Sequence, residues 1–169
     1  MKTKKLTVLA LLSAIALTIF VVENQIPPLV PLPGVKLGLS NIVTVFTVFF
    51  LGPWEGAGVL AVRIFLGSVF AGNFSSILYS AAGGLLAILT TIGLKYILKD
   101  SQLWVAGCLG AVAHSLGQMA VAVLMTGTPA IIIYLPALIV CSIAAGLFTG
   151  LCAQFLVKRG KTLWKTTFK

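Results

Sequence analysis

Three carboxylates, Glu23, Glu55 and Asp100, are all the acidic groups this 169-residue chain offers, and each stands alone near the end of an apolar stretch. No pair or cluster of them exists to hold the Mg²⁺ of a diphosphate substrate. Gly160-Lys161-Thr162 imitates the end of a phosphate-binding loop, but Phe155 stands where the leading glycine is required and no strand precedes it. Cys108, Cys141 and Cys152 lie within apolar runs without metal-ligand spacing and are expected as small buried apolar side chains. The residues therefore predict no catalytic group, no metal site and no cofactor. Any ATP hydrolysis must come from a partner.

The chemistry that remains is binding by polar side chains embedded in apolar surroundings. Arg63 falls about 10 Å along its helix from Gly56, at 1.5 Å per residue, and an ionisable group at that depth must face a partner or a cavity. It is expected either to pair with Glu55 or neighbouring carbonyl groups, or to meet an anionic ligand. His114 and Gln118 share one helix face by the i, i+4 rule, where an interhelical hydrogen bond and a ligand contact are the alternatives. Ser115 points elsewhere. Lys36 and Asn41 stand at the outer end of the second apolar segment, placed to hold an anionic head group or to anchor the interface, and Glu23 closes the first segment at that level. Tyr79, Tyr134 and Trp104 lie toward segment ends and are assigned to an aromatic belt, Tyr134 also being a candidate to line a pocket.

The elements that position these groups follow from composition: 59% of the residues are hydrophobic and 9% charged, so the bilayer is the solvent. Apolar runs near 6–22, 37–51, 57–71, 76–94, 103–126 and 131–157 predict an all-α integral membrane protein, one compact domain over 1–169 of about six transmembrane helices. Between the first two, Pro27, Pro28, Pro31 and Pro33 forbid a continuous helix. The second and third runs are short, which leaves a tilted or re-entrant hairpin through Gly52-Pro53-Trp54-Glu55 open.

A formal net charge of +9 is not a nucleic-acid footprint here, because Lys and Arg cluster beside the spans: Lys2 to Lys5, Lys95 to Lys99, and Lys158 to Lys169. Six crossings put these clusters and both termini on one side, the cytoplasm, with the Pro-rich loop outside. Cleavage of the first segment as a signal peptide is rejected, since Ala14-Ile15-Ala16 lies inside the apolar run. Small residues four apart, Ala10 with Ala14 and Gly146 with Gly150, let helix backbones approach closely in lipid.

The runs Pro33-Gly34-Val35-Lys36-Leu37-Gly38-Leu39-Ser40-Asn41-Ile42, Arg63-Ile64-Phe65-Leu66-Gly67-Ser68, Leu78-Tyr79-Ser80-Ala81-Ala82-Gly83-Gly84, Gly110 to Gln118 and Tyr134-Leu135-Pro136 together resemble one family. It is the bacterial membrane family labelled both Gx transporter and heptaprenyl diphosphate synthase component I. Ser115 departs from it, asparagine being more usual there. That family is similar to the substrate-binding S components of energy-coupling factor transporters, whose first-helix A-x-x-x-A motif is matched by Ala10-Leu11-Leu12-Ser13-Ala14.

The resemblance implies an S-component-like protein of the bacterial inner membrane that binds a small molecule beneath the loop between its first two helices. Ala10 and Ala14 would dock on a transmembrane coupling subunit, and ATPase subunits would supply the energy. Lys36 and Arg63 favour an anionic substrate and the apolar loop a partly apolar one; the family label points to an isoprenoid- or quinone-related molecule. The alternative is a noncatalytic membrane subunit of a heptaprenyl or polyprenyl diphosphate synthase. Its short basic segments leave a soluble partner less than the roughly 800 Å² per side of a standard interface, unless that partner also touches lipid. Beyond its substrate and these subunits, membrane lipid is the expected partner.

Overall fold

The computed structural model describes residues 2–26, 38–72 and 75–167. Among these are six α-helices and no strand: α1 (Lys2–Glu23), α2 (Asn41–Phe50), α3 (Pro53–Ala71), α4 (Ser75–Lys95), α5 (Leu103–Thr126) and α6 (Leu135–Thr167). Short 3₁₀ turns at Asp100–Gln102 and Pro129–Tyr134 lead into α5 and α6. Four stretches, Thr3–Glu23, Ser76–Lys95, Asp100–Thr126 and Pro129–Thr162, are long and apolar enough to cross a bilayer, which makes this a multi-pass membrane protein.

The segment expected to span 37–51 is helical only over Asn41–Phe50. Ten residues rise about 15 Å, half the hydrocarbon core, so α2 does not cross by itself. It is instead the buried centre of the bundle, packed against α1, α3, α4, α5 and α6. Leu51 and Gly52 then reverse the chain, and Pro53 starts α3 in the first turn, where its missing N–H has no helical partner to lose. The last helix starts four residues later than the run at 131–157 and continues beyond the apolar stretch to Thr167.

Two packing regimes meet along α2. Its C-terminal half supplies Val45, Val48 and Phe49 to an apolar core with Leu60, Ile88, Leu103, Ala106, Ala153 and Val157. Lys95 donates to the Val48 carbonyl at 2.6 Å, bringing a cation to the C-terminal end of α2, where free carbonyls concentrate negative potential. Its N-terminal end is polar.

The most extensive packing is that of α5 against α6 on one side and α4 on the other, and small residues explain how. A Cβ on Gly146 would lie 2.6 Å from the Gly107 carbonyl oxygen, and one on Gly150 2.7 Å from the Trp104 Cα, so backbone touches backbone. Ser115 and Ser142, both buried, share a hydrogen bond of 2.5 Å across the same α5–α6 contact. By contrast α1 is peripheral, packed on α2 and α3.

Tyr79 is not a belt residue: it is 7% exposed and belongs to the core. Trp104 and Tyr134 are partly exposed, and Trp54 is strongly exposed. The three cysteines are free and half-buried rather than fully buried.

Candidate functional site

The N-terminal end of α2 gathers a polar cluster that the apolar bundle must accommodate. Ser40, Asn41, Thr44 and Thr47 form a hydroxyl and amide stripe on an otherwise Val- and Phe-rich element, and all four are buried. Thr47 spends its hydroxyl on the Val43 carbonyl one turn back, at 2.7 Å. Ser40 meets α3 through Arg63, and Asn41 lies over Gly38 in the chain entering α2.

Arg63 of α3 is 2% exposed, and its guanidinium donates from Nη1 to the Ser40 hydroxyl oxygen. The sequence-based pairing of Arg63 with Glu55 does not occur. Glu55, in the first turn of α3 and about two turns before Arg63, accepts instead from Lys5. The carboxylate whose charge acts on Arg63 is Glu23, at the C-terminal end of α1. Glu23 is itself buried and accepts from the Gly38 backbone N–H at 2.5 Å. Arg63 is thereby turned toward the α2 N-terminus rather than toward the end carrying Lys5.

Gly38 is the hinge of this arrangement. Its φ of +76° lies in the left-handed region that L side chains rarely adopt, and the space above it is taken. A Cβ there would fall 2.9 Å from Asn41 Nδ2 and 3.4 Å from His114 Cδ2. The same imidazole reaches α4: a Cβ on Gly83 would fall 2.9 Å from His114 Cε1 and 3.0 Å from Gln118 Cγ. His114 thus connects the α2 end of the cluster to the α4–α5 contact, with Gln118 one turn along, and both are buried.

Of the residues predicted from sequence, Glu23, Asn41, Arg63, His114 and Gln118 are gathered at this end of the bundle. Tyr134, on the 3₁₀ turn before α6, is instead 40% exposed. Lys36 and the four prolines fall outside the described residues. Ala10 and Ala14 are exposed on α1 and line a groove against α3, remote from the cluster. Gly38, Ser40 and Gly83 stand in the sequence only as part of the family-like runs, and Thr44 not at all, although the i, i+4 spacing of Ser40 and Thr44 in an apolar segment is a legible signal.

The polar accounting of the cluster is incomplete in a way that suits a ligand. Asn41 is 6% exposed, yet neither its Nδ2 nor its Oδ1 has a hydrogen-bond partner among the described residues; the same holds for Thr44 Oγ1 and Arg63 Nε. Buried polar atoms left unpaired cost about 1–3 kcal/mol each, so such a set persists where something else completes it. The cluster offers a guanidinium, an amide with donor and acceptor both open, and a hydroxyl, a combination suited to an oxygen-rich anionic group. Among the described residues, no group of three or more His, Cys, Asp or Glu is placed to hold a metal ion.

No curated protein and no solved structure matches the chain. A family model described as heptaprenyl diphosphate synthase component I matches residues 12–156. That match covers every residue of the cluster and leaves out only residues 2–11 of α1 and 157–167 of α6 among the helices, and the chain belongs to the heptaprenyl diphosphate synthase component I family, also called the Gx transporter family.

Proposed function

We propose that this protein is a substrate-binding membrane component, S-component-like, that captures a small anionic and partly apolar molecule and delivers it inward with energy from partner ATPases. The observation that carries the reading is the buried cluster at the α2 N-terminus, where Asn41, Thr44 and Arg63 keep open hydrogen-bonding atoms. It sits at the end of α1 opposite Lys4 and Lys5, on the side that the charge pattern assigns to the exterior.

In this reading Arg63 Nε and the Asn41 amide receive the anionic group. Ser40 and Glu23 orient the guanidinium, and His114 with Gln118 bounds the site from α5. An isoprenoid- or quinone-related substrate would present such an anionic head and an apolar body. In this reading the energy comes from partner ATPase subunits outside the chain.

The family's description favours a second reading, a noncatalytic membrane subunit of a polyprenyl diphosphate synthase. One experiment separates them: the full chain is purified from bacterial membranes and its retained small molecules are identified by mass spectrometry. A small anionic molecule released on denaturation, and lost in Asn41→Ala, is the expected result. An empty site together with stoichiometric copurification of a soluble prenyl synthase would overturn the transport reading.

A further inference from the structure

The open atoms at the α2 N-terminus differ in kind, and the difference restricts what can complete them. Arg63 Nε and Asn41 Nδ2 are donors and Thr44 Oγ1 can serve either way, so an anionic oxygen satisfies each of them. Asn41 Oδ1 is an acceptor, equally open, on a side chain 6% exposed. A carboxylate or phosphate that has given up its protons has nothing to donate to it. Because both ends of the amide are open, turning it over leaves the same demand. Whatever fills the cluster must donate a hydrogen bond as well as accept several.

Charge narrows the head group further. With His114 neutral, Arg63 is the cation among the described residues of the cluster, and the Glu23 carboxylate, whose charge acts on it, offsets it. Lys36, close by in sequence though outside the described residues, would raise the sum to a single positive charge. A carboxylate matches that balance. A diphosphate carries several negative charges and ordinarily arrives with Mg²⁺, for which no group of three or more His, Cys, Asp or Glu exists among the described residues. A neutral O–H meets the demand of Asn41 Oδ1 without setting a second cation beside Arg63, as an ammonium would.

On the reading that this cluster receives a small anionic and partly apolar molecule, we infer that its substrate is a hydroxycarboxylate, a monocarboxylate with a hydroxyl of its own, and not a prenyl diphosphate. Its carboxylate accepts from Arg63 Nε, Asn41 Nδ2 and Thr44 Oγ1, and its hydroxyl donates to Asn41 Oδ1.

The test uses the full chain in detergent and isothermal titration with the three isomeric hydroxybenzoates, the fluorobenzoate matching each, and dimethylallyl diphosphate with Mg²⁺. The fluoro acids keep the carboxylate and nearly the size but have no O–H. For the best-fitting isomer, wild type should bind the hydroxy acid at least about tenfold more tightly than its fluoro counterpart, the worth of one buried hydrogen bond, and more tightly than the diphosphate. Asn41→Leu should bring that ratio below about threefold, whereas the nearly isosteric Thr44→Val should weaken both acids and keep the ratio, with circular dichroism confirming that both variants fold. Equal binding of hydroxy and fluoro acids by wild type, as water at Asn41 would produce, overturns the inference. So does a ratio that survives Asn41→Leu, preferred binding of the diphosphate, or no binding of any probe. Each of these leaves the transport reading standing, which falls only if the purified chain is empty and a prenyl synthase copurifies with it.

Discussion

Arg63 and Ser40 form the contact on which the geometry of the polar cluster depends, and a double-mutant cycle on the pair measures it. Arg63→Met keeps most of the side-chain length in a buried setting while deleting the charge and every donor. Ser40→Ala deletes the acceptor. The single Arg63 change leaves two groups worse off: the Ser40 hydroxyl loses the Nη1 donor, and the buried Glu23 carboxylate loses the cation whose field reaches it. Glu23 keeps the Gly38 N–H, so its charge is not wholly uncompensated. Leaving buried polar groups short of a partner costs about 1–3 kcal/mol, and a hydrogen bond to a charged group is worth about 1.5–3 kcal/mol. The expected loss for Arg63→Met is therefore about 2–3 kcal/mol, somewhat less for Ser40→Ala, with a coupling of about 1–2 kcal/mol between them. Chemical unfolding in detergent micelles, followed by circular dichroism, gives all four corners of the cycle. Strictly additive changes would refute the contact as a stabilising bond. A single Arg63→Met variant that unfolds like wild type would place the guanidinium in water or on a ligand instead.

Four further expectations follow from other parts of the molecule. Gly107→Ala forces α5 and α6 apart where backbone meets backbone and should cost about 1–3 kcal/mol, whereas Gly93→Ala, with open space around it, should be neutral or stabilising by up to about 1 kcal/mol; melting temperatures of the two decide it. Asn41→Ala and Gln118→Ala, together with Lys36→Ala, should weaken retention of the native small molecule while the protein stays folded, which ligand mass spectrometry and a thermal melt on the same samples would check. Hydrogen bonding from Lys5, helped by a backbone N–H, holds the Glu55 carboxyl below the usual carboxylate range. Its contribution is thus complete at neutral pH and lost as pH falls below about 4, where Glu55 takes up a proton in the folded state as well; the stability difference between wild type and Glu55→Gln should shrink over that window, and a difference constant from pH 7 to 3 would contradict the pairing. A reporter fused after Lys169 should be active on the cytoplasmic side, since basic residues cluster beside both termini.

Helix positions were legible from hydrophobic run length wherever a run was long and flanked by charge: α4 and α5 begin and end within a residue of the runs at 76–94 and 103–126. The short run at 37–51 misleads because apolar composition reports burial, and burial in protein leaves the same trace as burial in lipid. α2 is apolar through contact with its neighbouring helices rather than through crossing the bilayer. The site was half legible for a related reason. A charged or polar residue in an apolar run announces that it needs a partner, which located Arg63, His114, Asn41 and Gln118. Identifying the partner requires distances between helices, and sequence proximity pointed Arg63 toward Glu55, two turns away on its own helix. The fold instead gives Glu55 to Lys5 and turns Arg63 to Ser40, so the three carboxylates end up divided among three tasks: Glu55 ties α1 to α3, Asp100 holds Lys161 of α6 at 2.6 Å, and Glu23 serves the polar cluster. With every acidic group so employed, and Lys5, Lys161 and Arg63 each matched to an oxygen, the open bonding capacity among the described residues concentrates at the α2 N-terminus. That concentration, more than any single residue, is what supports the proposal of a ligand at the end of this short buried helix.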